Sequence, residues 1–284
     1  ESKKEREERE RSRKKKRITL SATDISDITS IGGAGSIAVS VAPAGLSVSV
    51  AIGVALAENS INNVVEAYII NVPTVTAGGS IKITATEAAT IDATTIAVAL
   101  AVGVSASGFG IGLSGAGANA TNIINNQVHA FIKDSGTVKA VNAISVTATN
   151  TSTITALVGA AAAAGGGGAG GGGAGAIGVS LARNLIGYTE YGFSTPLQNE
   201  VLAYISGSSL TAKTGDITIN AKATERVATD AFAGSVAIAG GAIAGSAAGA
   251  GVEVTNQLAT KIEAYADASN LTATLGNLEI QAVS

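Results

Sequence analysis

Ile81 to Ile91 reads IKITATEAATI, an alternation of aliphatic or small residues with polar ones, and the same strand returns along the chain. It appears as ITLSATDISDI from Ile18, ISVTATNTSTI from Ile144, ITINAKATERV from Ile217 and a shortened LEIQAVS from Leu278. The starts are spaced 63, 63, 73 and 61 residues apart. A second landmark keeps the same register: Ala67 in VVEAYI, Ala130 in QVHAFI, Ala203 in EVLAYI and Ala264 in KIEAYA are separated by 63, 73 and 61 residues. Two landmarks that share one irregular spacing define a repeat, and a fixed period of this kind is the mark of a solenoid or array in which each unit rests on the next. The expected fold is therefore all-β, a repeat β-solenoid or stack of β-sheets in units of about 63 residues. The units start near 18, 81, 144 and 217, and the last is cut short from 278.

Composition narrows the chemistry. Among 284 residues there are 36 glycines, 3% aromatics and no Cys, Met or Trp, so bulky aromatic packing is not what holds the units together. Without cysteine there are no disulfides, zinc–thiolate sites, iron–sulfur clusters or thiol nucleophiles in this chain. Residues 1–17 carry 10 of the 18 basic and 5 of the 21 acidic residues, which leaves 8 basic against 16 acidic, net −8, in residues 18–284. An acidic body without a basic stripe gives no grip on nucleic acid. Residues 1–17 read as a charged N-terminal extension where the repeat calls for its AYI strand, so the chain is expected to begin partway through a unit. No apolar signal core precedes it.

Each unit carries a long uncharged stretch. From Leu46 to Leu56 the large residues Leu46, Val48, Val50, Ile52, Val54 and Leu56 alternate with Ser47, Ser49, Ala51, Gly53 and Ala55, and Ile96 to Val104 repeats the pattern. Period two over such a length describes a strand with one aliphatic face and one flat face, not a membrane helix, so no transmembrane span is expected. The aliphatic faces are expected to fill a narrow interior, with the flat Ala/Gly/Ser faces forming thin interlayers. Pro43-Ala44-Gly45 predicts a tight turn between two strands. Ala160 to Gly175, all Ala and Gly, reads as a packed small-residue layer. Asn59 to Asn63 and Asn122 to Asn126 are read as corners between strands, with Asn side chains able to ladder from unit to unit.

Candidate sites are few. GxGxxG occurs at Gly110–Gly115 and Gly173–Gly178, but the two matches are one repeat apart and no helix follows either, so no nucleotide or other cofactor is expected. His129, the lone histidine, stands where other units have Glu66, Leu202 and Glu263, which reads as a surface position. Asp24 with Asp27, Glu87 with Asp92, and Glu225 with Asp230 could flank a sugar as acid and base, yet they read more simply as solvated charges guarding a sheet edge. Threonine pairs Thr84/Thr86 and Thr147/Thr149 suggest a flat array that Asn220 and Lys222 interrupt. No catalytic, cofactor or metal residue is assigned. The ten extra residues of the third unit fall in Gly187 to Pro196, and Tyr188, Tyr191 and Phe193 there are the candidate partner contact, since an insertion that keeps register loops out.

The AYI strand, the segment Ser209 to Ala221 (SLTAKTGDITINA) and the Ala/Gly-rich connectors resemble the repeats of very large bacterial filamentous adhesins of the haemagglutinin and leukotoxin-like type. The resemblance covers residues 18–284 through degenerate motifs. It implies an extracellular, non-enzymatic β-solenoid stalk on a bacterial cell surface, built of several short rungs to a unit. Flat Ala/Gly faces and open ends are expected to favour lateral or end-to-end association into fibres or homo-oligomers, with a host-surface or polysaccharide receptor as a further candidate partner. The alternatives are a carbohydrate-active β-helix enzyme and a phage or virus fibre segment. A lateral groove with paired carboxylates would favour the first, a threefold interface the second.

Overall fold

The computed structural model describes residues 5–6, 16–188 and 199–284. The first unit consists of β1 (Ile18–Ala42), β2 (Leu46–Ile70) and β3 (Thr74–Ala77), and the second of β4 (Ile81–Ser105), β5 (Phe109–Lys133) and β6 (Thr137–Ala140). The third has β7 (Ile144–Gly168), β8 (Gly171–Ile186), β9 (Glu200–Ser206) and β10 (Ser209–Ala212). The fourth has β11 (Ile217–Gly241), β12 (Ala244–Leu258), β13 (Lys261–Asp267) and β14 (Asn270–Ala273), after which β15 (Leu278–Val283) opens a fifth. The chain is an all-β parallel solenoid, as the repeat requires.

One unit is one turn of the solenoid. Ile18, Ile81, Ile144, Ile217 and Leu278 pair side by side in a single parallel ladder, so residues one repeat apart are direct neighbours. The several short rungs implied by the adhesin resemblance are not what forms. Each turn instead sends a 25-residue strand out, turns at the tip, brings a strand back, and closes through a four-residue strand at the base. Three parallel sheets result: A (β1, β4, β7, β11, β15), B (β2, β5, β8 with β9, β12 with β13) and the short C (β3, β6, β10, β14). A 25-residue strand spans about 80 Å while each turn rises only about 4.8 Å, so the solenoid is a wide, thin ribbon in cross-section.

The turns follow from local chemistry. Pro43-Ala44-Gly45 makes the predicted tip turn, with Gly45 at φ 84°, where a side chain would be strained. The corner from sheet B to sheet C takes a left-handed residue in every unit: Asn71, Asp134, Gly207 and Ala268, at φ 57°, 47°, 58° and 45°. These, and not the Asn-rich segments, are the corners. Asn59–Asn63 and Asn122–Asn126 lie inside the continuous strands β2 and β5, because Asn is tolerated in a strand when its amide has partners in the neighbouring turns.

Packing divides the ribbon along its width. At the base, Ile81, Ile83, Ile144, Val146, Ile217 and Ile219 of sheet A meet Val65, Val128, Val201 and their neighbours of sheet B over Val138 and Leu210 of sheet C, a dry aliphatic prism. Toward the tip the inward residues shrink to alanine, Ala97, Ala99 and Ala101 facing Ala116, Ala118 and Ala51. Here the expectation about the aliphatic faces is corrected. Ile37, Val39, Val41, Val48, Val50 and Ile52 point outward, Ile37 with 76% of its surface exposed. The reason is the close approach of the two sheets. A methyl on Gly103 would overlap the backbone of Ile111, one on Gly110 the carbonyl oxygens of Gly103 and Gly167, and one on Gly112 the carbonyl of Gly165. The inward hydroxyls of Ser49 and Ser114 donate across the gap to the backbone carbonyls of Ala38 (2.7 Å) and Ala99 (2.8 Å). Only the small face fits inside, and period two then puts the large face outside.

Candidate functional site

Between the aliphatic base and the alanine tip the two sheets enclose a polar layer. Its spine is an amide ladder in which Asn59 Nδ2 donates to Asn122 Oδ1 (2.8 Å), Asn122 to Asn184 (2.8 Å) and Asn184 to Asn256 (2.9 Å). Two inward positions toward the base, beyond a layer of Ile61, Ile124 and Ile186, the residues Asn63, Asn126 and Asn199 face the carboxylates of sheet A. Asn63 Nδ2 donates to Asp24 Oδ2 (2.7 Å), and Asn63 and Asn126 both donate to Glu87 Oε1 (3.2 Å each). Asn199 Nδ2 (3.1 Å) and the Thr260 hydroxyl donate to Glu225 Oε1.

Burial dominates the electrostatics of this layer. Glu87 is 0% exposed and its Oε2 has no hydrogen-bond partner among the described residues. Desolvation pushes its carboxyl up to about 7, against the pull of Asn63 and with added repulsion from Asp24. Burial also raises Glu225, opposed by its bonds from Thr260 and Asn199. The reading of these carboxylates as solvated edge charges is thus overturned for Glu87, which is sealed between two sheets. The pairs named from the sequence are not brought together either. Asp24 and Asp27 are an odd number of residues apart, as are Glu87 and Asp92, and in a strand odd spacing places side chains on opposite faces. What meets instead is Asp24 with Glu87, one repeat apart in the ladder. They lie in the interior, not in a lateral groove.

The outer face of sheet B carries a second ladder. Tyr68, Phe131, Tyr204 and Tyr265 stack with ring centroids 5.0, 4.8 and 5.1 Å apart and planes within 11° of parallel. Rings stacked along the axis turn their edges to solvent, and burial in the stack raises the Tyr204 and Tyr265 hydroxyls above the ordinary range. Beside them His129 is half-buried, its Nδ1 3.2 Å from Glu66 Oε1 and its Nε2 3.5 Å from Glu200 Oε2, so it is more covered than the surface position read from the sequence.

The remaining sequence candidates fall as follows. Both GxGxxG segments lie within strands, β5 and β8; Gly110, Gly112 and Gly178 serve the close contact of the sheets, while Gly115, Gly173 and Gly175 face outward. The insertion of the third unit preserves register, since Ile186 pairs with Ile124 and Glu200 with Gln127. Tyr188 is half-buried beside it, while Tyr191 and Phe193 lie outside the described residues. Among the described residues no group of three or more His, Asp or Glu could hold a metal ion, and no helix is long and apolar enough to cross a membrane.

Reading from the sequence anticipated that the Asn side chains ladder from unit to unit, but missed that they point inward from within the strands, and missed the exposed aliphatic faces. Parity held the signal for the first. Asn59 and Asn63 have the same odd numbering as Val65 and Ala67, which the base core buries. The aliphatic faces leave an apolar groove of about 590 Å³ on sheet B, floored by Gly115, Gly175 and Gly249 and walled by Ile52, Leu113 and Ile177. Comparison with family models, with characterised proteins and with solved structures found no match.

Proposed function

We propose that this chain is a structural, self-associating segment of the stalk of an extracellular bacterial surface adhesin, extended by end-to-end stacking of its solenoid turns. The observation that carries the reading is the ladder itself. Three contact systems run along the axis and are repeated turn after turn: backbone pairs, the Asn amides and the aromatic rings. Such a system has no intrinsic length. Each turn presents to the next the same strand edges, ring face and Asn amide, so the pattern is a template for further turns. The polar chemistry is spent inside the ribbon on holding the sheets in register, which fits a scaffold better than a catalyst. The aromatic insertion with Tyr188, Tyr191 and Phe193 is the proposed contact for a host-surface or polysaccharide receptor.

Electron microscopy of the purified chain over a concentration series tests this. Filaments with an axial rise of about 4.8 Å per 63-residue turn are the expected result. Particles that stay discrete at every concentration, or cleavage of a polysaccharide by the pure chain, would overturn the reading.

A further inference from the structure

The outer face of sheet B near the tip has a relief that matches itself. On β2 the outward residues are Val48, Val50, Ile52 and Val54. In the same rows of β12 they are Gly245, Ala247, Gly249 and Gly251. The two strands between them change over halfway along. β5 has Ile111 and Leu113 and then Gly115 and Gly117, whereas β8 has Gly173 and Gly175 and then Ile177 and Val179. The apolar groove of this sheet is the middle of the pattern, and Ile52 and Ile177 on its walls are 67% and 61% exposed.

We infer that this face docks a second copy of the same chain, face to face. The inference rests on the reading of the protein as a self-associating structural segment, and names a lateral contact distinct from end-to-end stacking. A two-fold axis along the strands, midway between β5 and β8, keeps the rows and sets β2 over the partner's β12 and β5 over the partner's β8. Every facing pair from the row of Val48 to the row of Val54 then joins an aliphatic side chain to Gly or Ala. Ile52 lies over the partner's Gly249, Leu113 over its Gly175 and Ile177 over its Gly115. Leu113 leans toward Gly175 of its own chain, so the two copies' Leu113 side chains also meet at the axis. The same operation on sheet A, between β4 and β7, would set Ile37 and Val39 against Val236 and Ile238, so that face lacks the match.

The rows can match because the sheets are flat. Packed sheets cross at an angle set by their own twist, about 30° as a rule. Across this ribbon Ser47 meets Ser40 and, about 50 Å further along, Asn63 still meets Asp24 of the same turn, so the crossing angle is close to nil. From Val48 to Leu56, about nine residues by four strands at about 3.3 Å and 4.8 Å cover roughly 600 Å² per copy, the low end of what a specific pair buries. The field stops short of the tip, where Leu46 would meet the partner's Ile243, and its one charge, Glu253, lies at the base-side margin over the partner's Leu56. A lipid bilayer is the poorer occupant, because attachment to it grows with apolar area and half of these outward positions offer only Gly or Ala.

Analytical ultracentrifugation of the whole chain tests the inference, with circular dichroism to confirm that each variant is folded. Ile177→Lys charges the centre of the field and is expected to weaken association at least about tenfold. Val98→Lys, at a position 48% exposed on the outer face of sheet A, should change it by less than about twofold. Ile177→Lys that weakens association no more than Val98→Lys overturns the inference. A size exchange is the stricter test. Gly115→Ile adds a side chain where no atom lies within 4 Å of a Cβ, so the single chain accepts it, yet it meets the partner's Ile177. Ile177→Ala removes the side chain that faces Gly115 from the partner. Each alone is expected to weaken association, Gly115→Ile by about tenfold, and the double variant to recover to within about threefold of the wild type. A double variant no better than the singles overturns the pairing, as does a Gly115→Ile chain that associates more strongly. Either pair of variants alone decides.

A wild-type chain that stays monomeric at the highest concentration reached also overturns the inference, as does a monomer that floats with phosphatidylcholine vesicles and loses this with Ile177→Lys. Mass per length separates this inference from the stacking reading. A single ribbon has about 13 kDa per nm and a paired one about twice that. Single-mass filaments keep the stacking and sink the lateral pair; discrete dimers without filaments do the reverse.

Discussion

Asn59 donates its side-chain amide to the side-chain carbonyl of Asn122 at 2.8 Å, although 63 residues separate them. Asn122 passes the bond on to Asn184, so each inner amide is both donor and acceptor and none is exposed to water. Removing one rung affects both neighbours. Asn122→Ala leaves the Asn184 acceptor buried without a partner and Asn59 with only its longer bond to Ser30 Oγ (3.2 Å), at a cost of about 1–3 kcal/mol. Denaturant unfolding should show this loss with little change in the slope, while Asn59→Ala at the end of the ladder costs less. Equal losses at the two sites would count against a cooperative ladder.

Glu87 makes stability depend on pH. Unfolded, its carboxyl titrates near the ordinary 4.5, and folded near 7, so between these values the native state holds the additional proton. The contribution is therefore complete below about 4.5, declines as pH rises toward about 7 and is lost above it, a swing on the order of 3 kcal/mol. Glu87→Gln keeps the shape and cannot ionise. Melting curves from pH 4 to pH 8, compared on the order of one unit at a time, should show a downward slope in the wild type that the variant flattens. A parallel pair of curves would remove Glu87 as the source.

The distance between the sheets near the tip gives a paired test. Gly112 faces inward, where a methyl would overlap the carbonyl of Gly165 and crowd that of Ala101, while Gly115 faces outward with nothing within 4 Å of a Cβ. Gly112→Ala is expected to cost about 3 kcal/mol or more, since both obstacles are backbone that cannot rotate away. Gly115→Ala should be neutral or slightly stabilising, because strand interiors gain from losing glycine. Thermal unfolding of the two variants measures the contrast, and equal behaviour would mean that the sheets are not in close contact.

The repeat, the all-β class and the tip turn at Pro43 were legible because they are properties of spacing and of single residues. The direction of the aliphatic faces was not. Period two states that Val48 and Ser49 lie on opposite faces, but which one is inside depends on the gap between the sheets, set by glycines such as Gly103 and Gly110 that meet backbone across it. The same limit hid Glu87. Its partners Asn63 and Asn126 are 24 and 39 residues away, and only the wide single turn brings them opposite. Asn59 looked like a corner because asparagine favours turns, yet the turn lies at Asn71, and local preference could not separate the two.

Ala268 occupies a corner that suits it poorly. It has φ 45°, in the place where the preceding units have Asn71, Asp134 and Gly207, and it is exposed, so its methyl group gains little from packing. A left-handed alanine costs about 1–2 kcal/mol, against which glycine loses somewhat less in chain entropy. Ala268→Gly should therefore stabilise the chain by about 0.5–1 kcal/mol. The reverse exchange one unit earlier, Gly207→Ala, should destabilise by more than that, because a Cβ there also comes within 2.8 Å of Asp134 Oδ1 and forces that side chain to move. Chemical denaturation of the two variants beside the wild type gives opposite signs if the corner geometry is right. A loss of stability in Ala268→Gly would show that this corner does not take the left-handed conformation in solution.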